Sequence, residues 1–215
     1  MEITESPAHR NIKAIKVASG SAFIWSLPYR LVSFAGIAGS VSYDPRREDD
    51  IDIFMIANQD CLWVVLLYAL IVRRIRGFKE ICLSLCMDRS FAQGMFSESL
   101  DRLTARDALR VIPVLGLQYY RDLLQLSPMT RQNNVVSPGA ATESARSSAS
   151  MKILNFIAYL FVGTYQQAKT RMANHELKAS GRSHECFEAR MGLHHFLLDS
   201  LKYQIIRKEE LLNDL

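Results

Sequence analysis

Two aspartates, Asp50 and Asp52, stand one residue apart at the head of an apolar segment, residues 51–57 (IDIFMIA). On a β-strand alternate side chains leave the same face. A strand here puts both carboxylates on one side and Ile51, Ile53 and Met55 on the other. Two carboxylates held this close repel each other unless a cation sits between them. An all-oxygen donor pair suits Mg²⁺, which takes one or two protein carboxylates and completes its shell with water and substrate phosphates. Asp50 and Asp52 are therefore the candidate metal ligands and candidate catalytic residues. Eleven residues before Asp50 stands Gly39, followed by Ser40. A Gly-Ser turn offers backbone N–H groups and a hydroxyl, and glycine lets a phosphate approach the main chain closely. Gly39 and Ser40 are the candidate nucleotide-binding pair. A lone D-x-D would be read as an acidic strand face. The Gly-Ser turn between two apolar strands makes this pattern far more specific.

Such residues need rigid elements beneath them. The pattern predicts strands over residues 31–38 (LVSFAGIA), 51–57 and 80–87, with a polar loop over 43–49 between the first two. Ser6-Pro7 supplies the cap and first-turn proline of a helix in which Ala8, Ile12, Ile15 and Ser19 recur at helical spacing. Residues 62–76 predict a helix that is apolar nearly all round, hence buried. Arg73, Arg74 and Arg76 suit its negative C-terminal end, and Gly77 closes it. Beyond residue 88 no strand is expected. Helices are expected over 97–111 and 115–126, separated by Pro113, and then two long ones over 151–179 and 184–212, broken at Ser180-Gly181. Residues 127–150, rich in Ser, Asn, Ala, Thr and Pro, read as a flexible linker. The division expected is 1–126, 127–150 and 151–215.

The apolar runs 62–72 and 153–162 fall short of the ~20 residues that a membrane span needs and read as buried helices. The opening MEITESPAHRNIKAIK has no apolar core of signal-peptide type. A soluble, cytoplasmic protein without a membrane partner is expected. Composition agrees: 49% hydrophobic and 22% charged is globular. A net charge of +4 suits a phosphate-bearing ligand but does not by itself indicate nucleic acid. Cys61, Cys82, Cys86 and Cys186 form no C-x-x-C pair and read as reduced, buried thiols. His194 and His195, adjacent on the expected last helix, would point about 100° apart, so they read as surface or core histidines, as do His175 and His184. Lys169, Arg171, Lys178 and Arg182 form a basic run, either a solvated helix end or a contact for triphosphate or a polyanionic acceptor.

The stretch AGSVSYDPRREDDIDIFMIA resembles the signature of the DNA polymerase β-like nucleotidyltransferase superfamily: a small residue, Gly-Ser, a spacer, then carboxylate-apolar-carboxylate. Softer similarities extend to stand-alone nucleotidyltransferase-like domains. These are a Trp-containing helix, here around Trp63, a cysteine-bearing strand (ICLSL), and an Ala-Arg-x-x-x-x-x-x-Pro stretch, here Ala105 to Pro113. The resemblance implies an α+β fold: a small mixed-sheet nucleotidyltransferase core with helices, followed by an α-helical C-terminal region. It also implies Mg²⁺-dependent transfer of a nucleotidyl group from a nucleoside triphosphate to an unknown acceptor. Gly39 and Ser40 would hold the triphosphate, and Asp50 and Asp52 the metal. A third carboxylate on a neighbouring strand usually completes the site. In the expected strand Glu80, Cys82, Ser84, Cys86 and Asp88 share one face, so Glu80 and Asp88, at its ends, are the candidates. Leu66 stands where an arginine often follows the tryptophan. These departures keep a second reading open, a catalytically weak or inactive nucleotide-binding or interaction protein on the same scaffold. A third is a nucleic-acid-modifying enzyme that uses basic C-terminal helices.

Overall fold

The chain opens with α1 (Pro7–Trp25) in a computed structural model that describes residues 7–98, 107–127, 148–201 and 205. The buried stripe of α1 runs through Lys16, Gly20, Phe23 and Ile24, one position off the expected one; Ile15 is 63% exposed. Gly20 sets the packing distance. A Cβ there would lie 2.8 Å from Ile37 and 3.1 Å from Ile51, so α1 rests directly on the sheet.

Strand β1 (Val32–Ala38) leads through Gly39 into the single turn α2 (Ser40–Tyr43), and the polar loop returns to β2 (Ile51–Ala57). Helix α3 (Leu62–Ile75) then crosses over to β3 (Ile81–Asp88), which runs parallel to β2. Helix α4 (Arg89–Ser97) follows directly.

Three strands appear where none is expected. The first, β4 (Ile112–Leu115), contains Pro113. It is an edge strand, where a missing N–H leaves no ladder bond unmade. Helix α5 (Leu117–Leu124) occupies the middle of the expected 115–126 helix. Helix α6 (Ala149–Ala179) matches the first long C-terminal helix. The second does not form over its first half, where β5 (Phe187–Gly192) and β6 (His195–Ser200) make a hairpin. Phe187, Ala189 and Met191 alternate with Glu188, Arg190 and Gly192 at strand period, and in β6 Phe196 and Leu198 pack in one core while Leu197 between them packs in the other. Pairing of β6 with β3 rewards that period. Most of the expected linker, and much of the expected 97–111 helix, lie outside the described residues.

The result is an α+β fold with a mixed six-stranded sheet in the order β4-β1-β2-β3-β6-β5. Helices α1, α3 and α6 cover one face over a core that includes Ile37, Ile53, Met55, Trp63 and Phe196. Helices α4 and α5 cover the other over Phe34, Phe54, Phe96 and Tyr120, with Phe34 and Tyr120 stacked at 4.1 Å. The two apolar runs expected to be buried are buried on one side only. Leu67, Tyr68 and Ile71 of α3 and Leu154, Ile157 and Phe161 of α6 are exposed. Among the described residues no helix is long and apolar enough to cross a membrane.

Candidate active site

Asp52 takes the second position of β2, between Ala38 of β1 and Cys82 of β3. It faces the side that Phe54 and Ile56 occupy further along the strand. One residue past Ala38 the chain turns at Gly39, with φ +64°. A Cβ there would stand 2.2 Å from the Asp52 carboxylate oxygen Oδ2. Glycine is thus required twice, by left-handed backbone and by contact with Asp52. The Gly39 carbonyl accepts the Ser42 backbone N–H at 3.1 Å and its hydroxyl at 2.7 Å, which fixes the turn. Two lysines of α1 hold the following loop. Lys13 donates to the Ser42 carbonyl at 3.1 Å, and the buried Lys16 donates to the carbonyl of Asp49.

Asp50 lies exposed, just before β2. Partial desolvation on its protein-facing side raises its pKa, against the opposing pull of Arg73, Lys16 and Lys169 and with a further push from Glu80. Asp52 is half-buried. Burial also raises its pKa; hydrogen bonding from Ser84 and Cys82 opposes this, and the charges of Asp50 and Asp49 add to it. The same burial, with Asp52 and Asp50 nearby, pushes the Cys82 thiol up to about 12. The head of β2 therefore carries negative charge that is partly desolvated and mutually repelling, ringed at its edge by three cations. A cation placed there would relieve both costs at once.

Gly39 lies against Asp52, Asp50 acts on Asp52 through its charge from just before β2, and Ser40 is next in chain at the first turn of α2. Glu80 precedes β3 at the same end of the sheet. Its side chain is 64% exposed and pairs with Lys16 at 3.6 Å. Asp88 is not part of this group. It pairs with Ala57 while Cys82 pairs with Asp52, so it stands at the far end of the strands, roughly 17 Å away at about 3.3 Å per residue. Nor do residues 80, 82, 84, 86 and 88 share a face. A register shift opposite Ser84, between Ile53 and Phe54, reverses the alternation. Cys82 and Ser84 stay beside Asp52, whereas Cys86 joins Leu83 in the other core. The neighbours of Asp52 on β3 are a thiol and a hydroxyl.

Sequence reasoning missed Lys16 and Arg73 as members of this neighbourhood. For Lys16 the signal was its spacing to Gly20, Phe23 and Ile24, which places it on the buried stripe. Of the basic run, Lys169 reaches the site electrostatically, whereas Arg182 is paired with Glu185 beyond the end of α6.

At the other end of β3, ligand atoms of Asp60, Asp88 and His194 lie within 4.8 Å of one another. His194 sits in the β5–β6 turn, not on a helix. Asp88 is fully buried and caps α4. Its Oδ1 accepts from Phe91 N at 3.1 Å and the Ser90 hydroxyl at 2.9 Å. Its Oδ2 accepts from Gln59 Nε2 at 3.2 Å and His194 Nδ1 at 2.6 Å. A carboxylate has about four acceptor positions, and here each is taken. Asp60 in turn faces Lys152 at 3.9 Å. This cluster is a fastening that ties the hairpin turn to the end of β3.

No protein-family model, curated protein or solved structure matches the chain.

Proposed function

We propose that the protein is a Mg²⁺-dependent nucleotidyltransferase that moves a nucleotidyl group from a nucleoside triphosphate to an acceptor. The observation that carries this reading is the contact between the Gly39 turn and Asp52. A positive-φ glycine turn, of the kind that can cradle a phosphate, lies beside a carboxylate able to ligate a metal on the head of β2. The donor set fits the ion: Asp50 and Asp52 give two carboxylates, and triphosphate oxygens and water would complete the shell. When bound, Mg²⁺ supplies neutralisation of the phosphate charge that develops during transfer. The chain's own residues do the rest. Gly39 and Ser40 orient the triphosphate. Arg73, Lys16 and Lys169 temper the acidity of the site and favour polyanion entry. Glu80, at the same end of the sheet, is the carboxylate next to β3 that would take the acceptor proton. The four free cysteines suit a reducing cytoplasm, where nucleoside triphosphates are abundant.

One observation favours a second reading. The β3 positions flanking Asp52 hold Cys82 and Ser84 and no carboxylate, which suits a scaffold that binds nucleotide without transferring it. The deciding experiment incubates the full chain with Mg²⁺, each nucleoside triphosphate in turn and pooled acceptors, and measures pyrophosphate. Release that disappears with EDTA supports the transferase. Nucleotide binding without release supports the scaffold, and neither binding nor release ends both.

A further inference from the structure

Helix α6 carries no charged residue between Lys152 and Lys169, yet half of that stretch faces outward. Leu154, Ile157, Phe161 and Tyr165 follow one another at steps of three or four residues, and Phe161 is 71% exposed. Helix α3 packs beside α6, joined to it by the Trp63 backbone N–H on the Asn155 side chain at 2.7 Å and by the Trp63–Tyr159 ring contact at 4.9 Å. It turns a second stripe away from the sheet through Tyr68 and Ile71. Together the two helices leave eleven large apolar side chains more than a third exposed, counting Ile153 to Tyr165 and Leu67 to Ile75.

We infer that this two-helix face is where a second copy of the chain docks, so that the protein works as a symmetric homodimer. At ~200 Å² for each large side chain the exposed stripes amount to on the order of 1,000 Å². That exceeds the few hundred Å² of apolar patch usual on a monomer and matches the ~800 Å² that each partner contributes to a stable interface. The uncharged α6 stripe is its own complement, as a two-fold interface requires, since the same patch faces itself, and the exposed Arg74 lies at the α3 end of the face. The step of three and four residues is the one that lets helices interdigitate. Two other occupants fit less well. A helix that lies on a membrane backs its apolar face with a Lys/Arg-rich polar one, whereas the back of α6 is the protein core. Residues 128–147 hold only Met129, Val135 and Val136 as large apolar residues, too few to cover the face. The inference does not draw on the proposed chemistry.

Sedimentation velocity and light scattering on the full chain at micromolar concentration test it. The expected mass is twice the 24.4 kDa of the chain. Leu154→Arg and Phe161→Arg should each weaken self-association at least about a hundredfold, since each puts an unpaired charge in the seam, with the helical circular dichroism retained. Ile15→Arg, at an exposed apolar residue of α1 outside this face, should leave the mass unchanged. A monomeric wild type overturns the inference. A chain that dimerises only after removal of residues 201–215 reassigns the face to the chain's own C-terminus. A monomer that co-sediments with phosphatidylcholine–phosphatidylglycerol vesicles reassigns it to lipid. A dimer that survives both arginine variants but is lost in Ile15→Arg places the interface elsewhere.

Discussion

The two ends of the β2–β3 pair hold carboxylates in opposite conditions. At one end Asp88 is completely buried yet fully hydrogen-bonded, by a helix N-terminus, a hydroxyl, an amide and an imidazole. At the other end Asp52 is only half-buried, but its neighbours include two more aspartates, and its pKa is pushed up. The comparison teaches that burial alone does not mark a functional carboxylate. A buried group whose acceptor positions are filled is structural, whereas one whose charge is only partly relieved is a candidate for cation binding.

The largest effect expected on this contrast comes from Asp52→Asn. If the site transfers nucleotides, loss of the carboxylate removes several kcal/mol of metal-mediated charge stabilisation, so turnover falls about a thousandfold or more. Stability should move the other way. The folded-state pKa of Asp52 is raised, so the carboxyl favours folding when protonated, and that contribution is lost as pH rises through the folded pKa. Asn should therefore raise the urea midpoint at pH 7, and the gain should vanish below the ordinary carboxylate range. A midpoint that falls at pH 7 would contradict the contrast.

Asp88→Ala should act only on the fold, with a loss of about 2–4 kcal/mol in urea titration from the missing helix cap and the orphaned buried donors. Mg²⁺ binding per folded molecule should be unchanged; weakened binding would mean that the two ends are not separate. Gly39→Ala should cost about 1–3 kcal/mol through left-handed strain and the clash with Asp52. It should also weaken nucleotide binding, measured by calorimetry. Glu80→Gln should change stability by no more than about 0.5 kcal/mol, because exposed ion pairs contribute little. A large drop in pyrophosphate release with that variant would identify Glu80 as the proton acceptor and sharpen the contrast further.

The site was legible in the sequence where the signal was local. Asp52 sits on β2 and Gly39 and Asp50 stand just outside the ends of β1 and β2, strands whose apolar periods announce them, and β2 has the limits its pattern suggests. The hairpin was not legible, for a physical reason. Its two-residue turn, Leu193-His194, lacks the Asn-Gly or Gly pair that signals tight hairpins, and neither residue has a positive φ. The turn is held from a distance instead. The Trp63 indole N–H lies 3.1 Å from the Gly192 carbonyl and 3.0 Å from that of Leu193, and Asp88 holds His194. The bulge opposite Ser84 was equally hidden, since a register shift is a property of two strands and not of one. Lys16 was misplaced with the whole face of α1, because its apolar repeats support two phases and only contact with the sheet selects between them.

The pairing of β3 with β6 bears on how the protein is made. Leu85 meets Leu197, so more than a hundred residues separate the partners along the chain. At translation rates of ~5–20 residues per second, β3 waits about 5–20 s after synthesis for its neighbour to emerge. Throughout that interval ICLSLCMD is an open, apolar sheet edge, the kind of template on which unfinished chains associate. A nascent chain stalled before residue 195 is accordingly the form of this protein most in need of a chaperone.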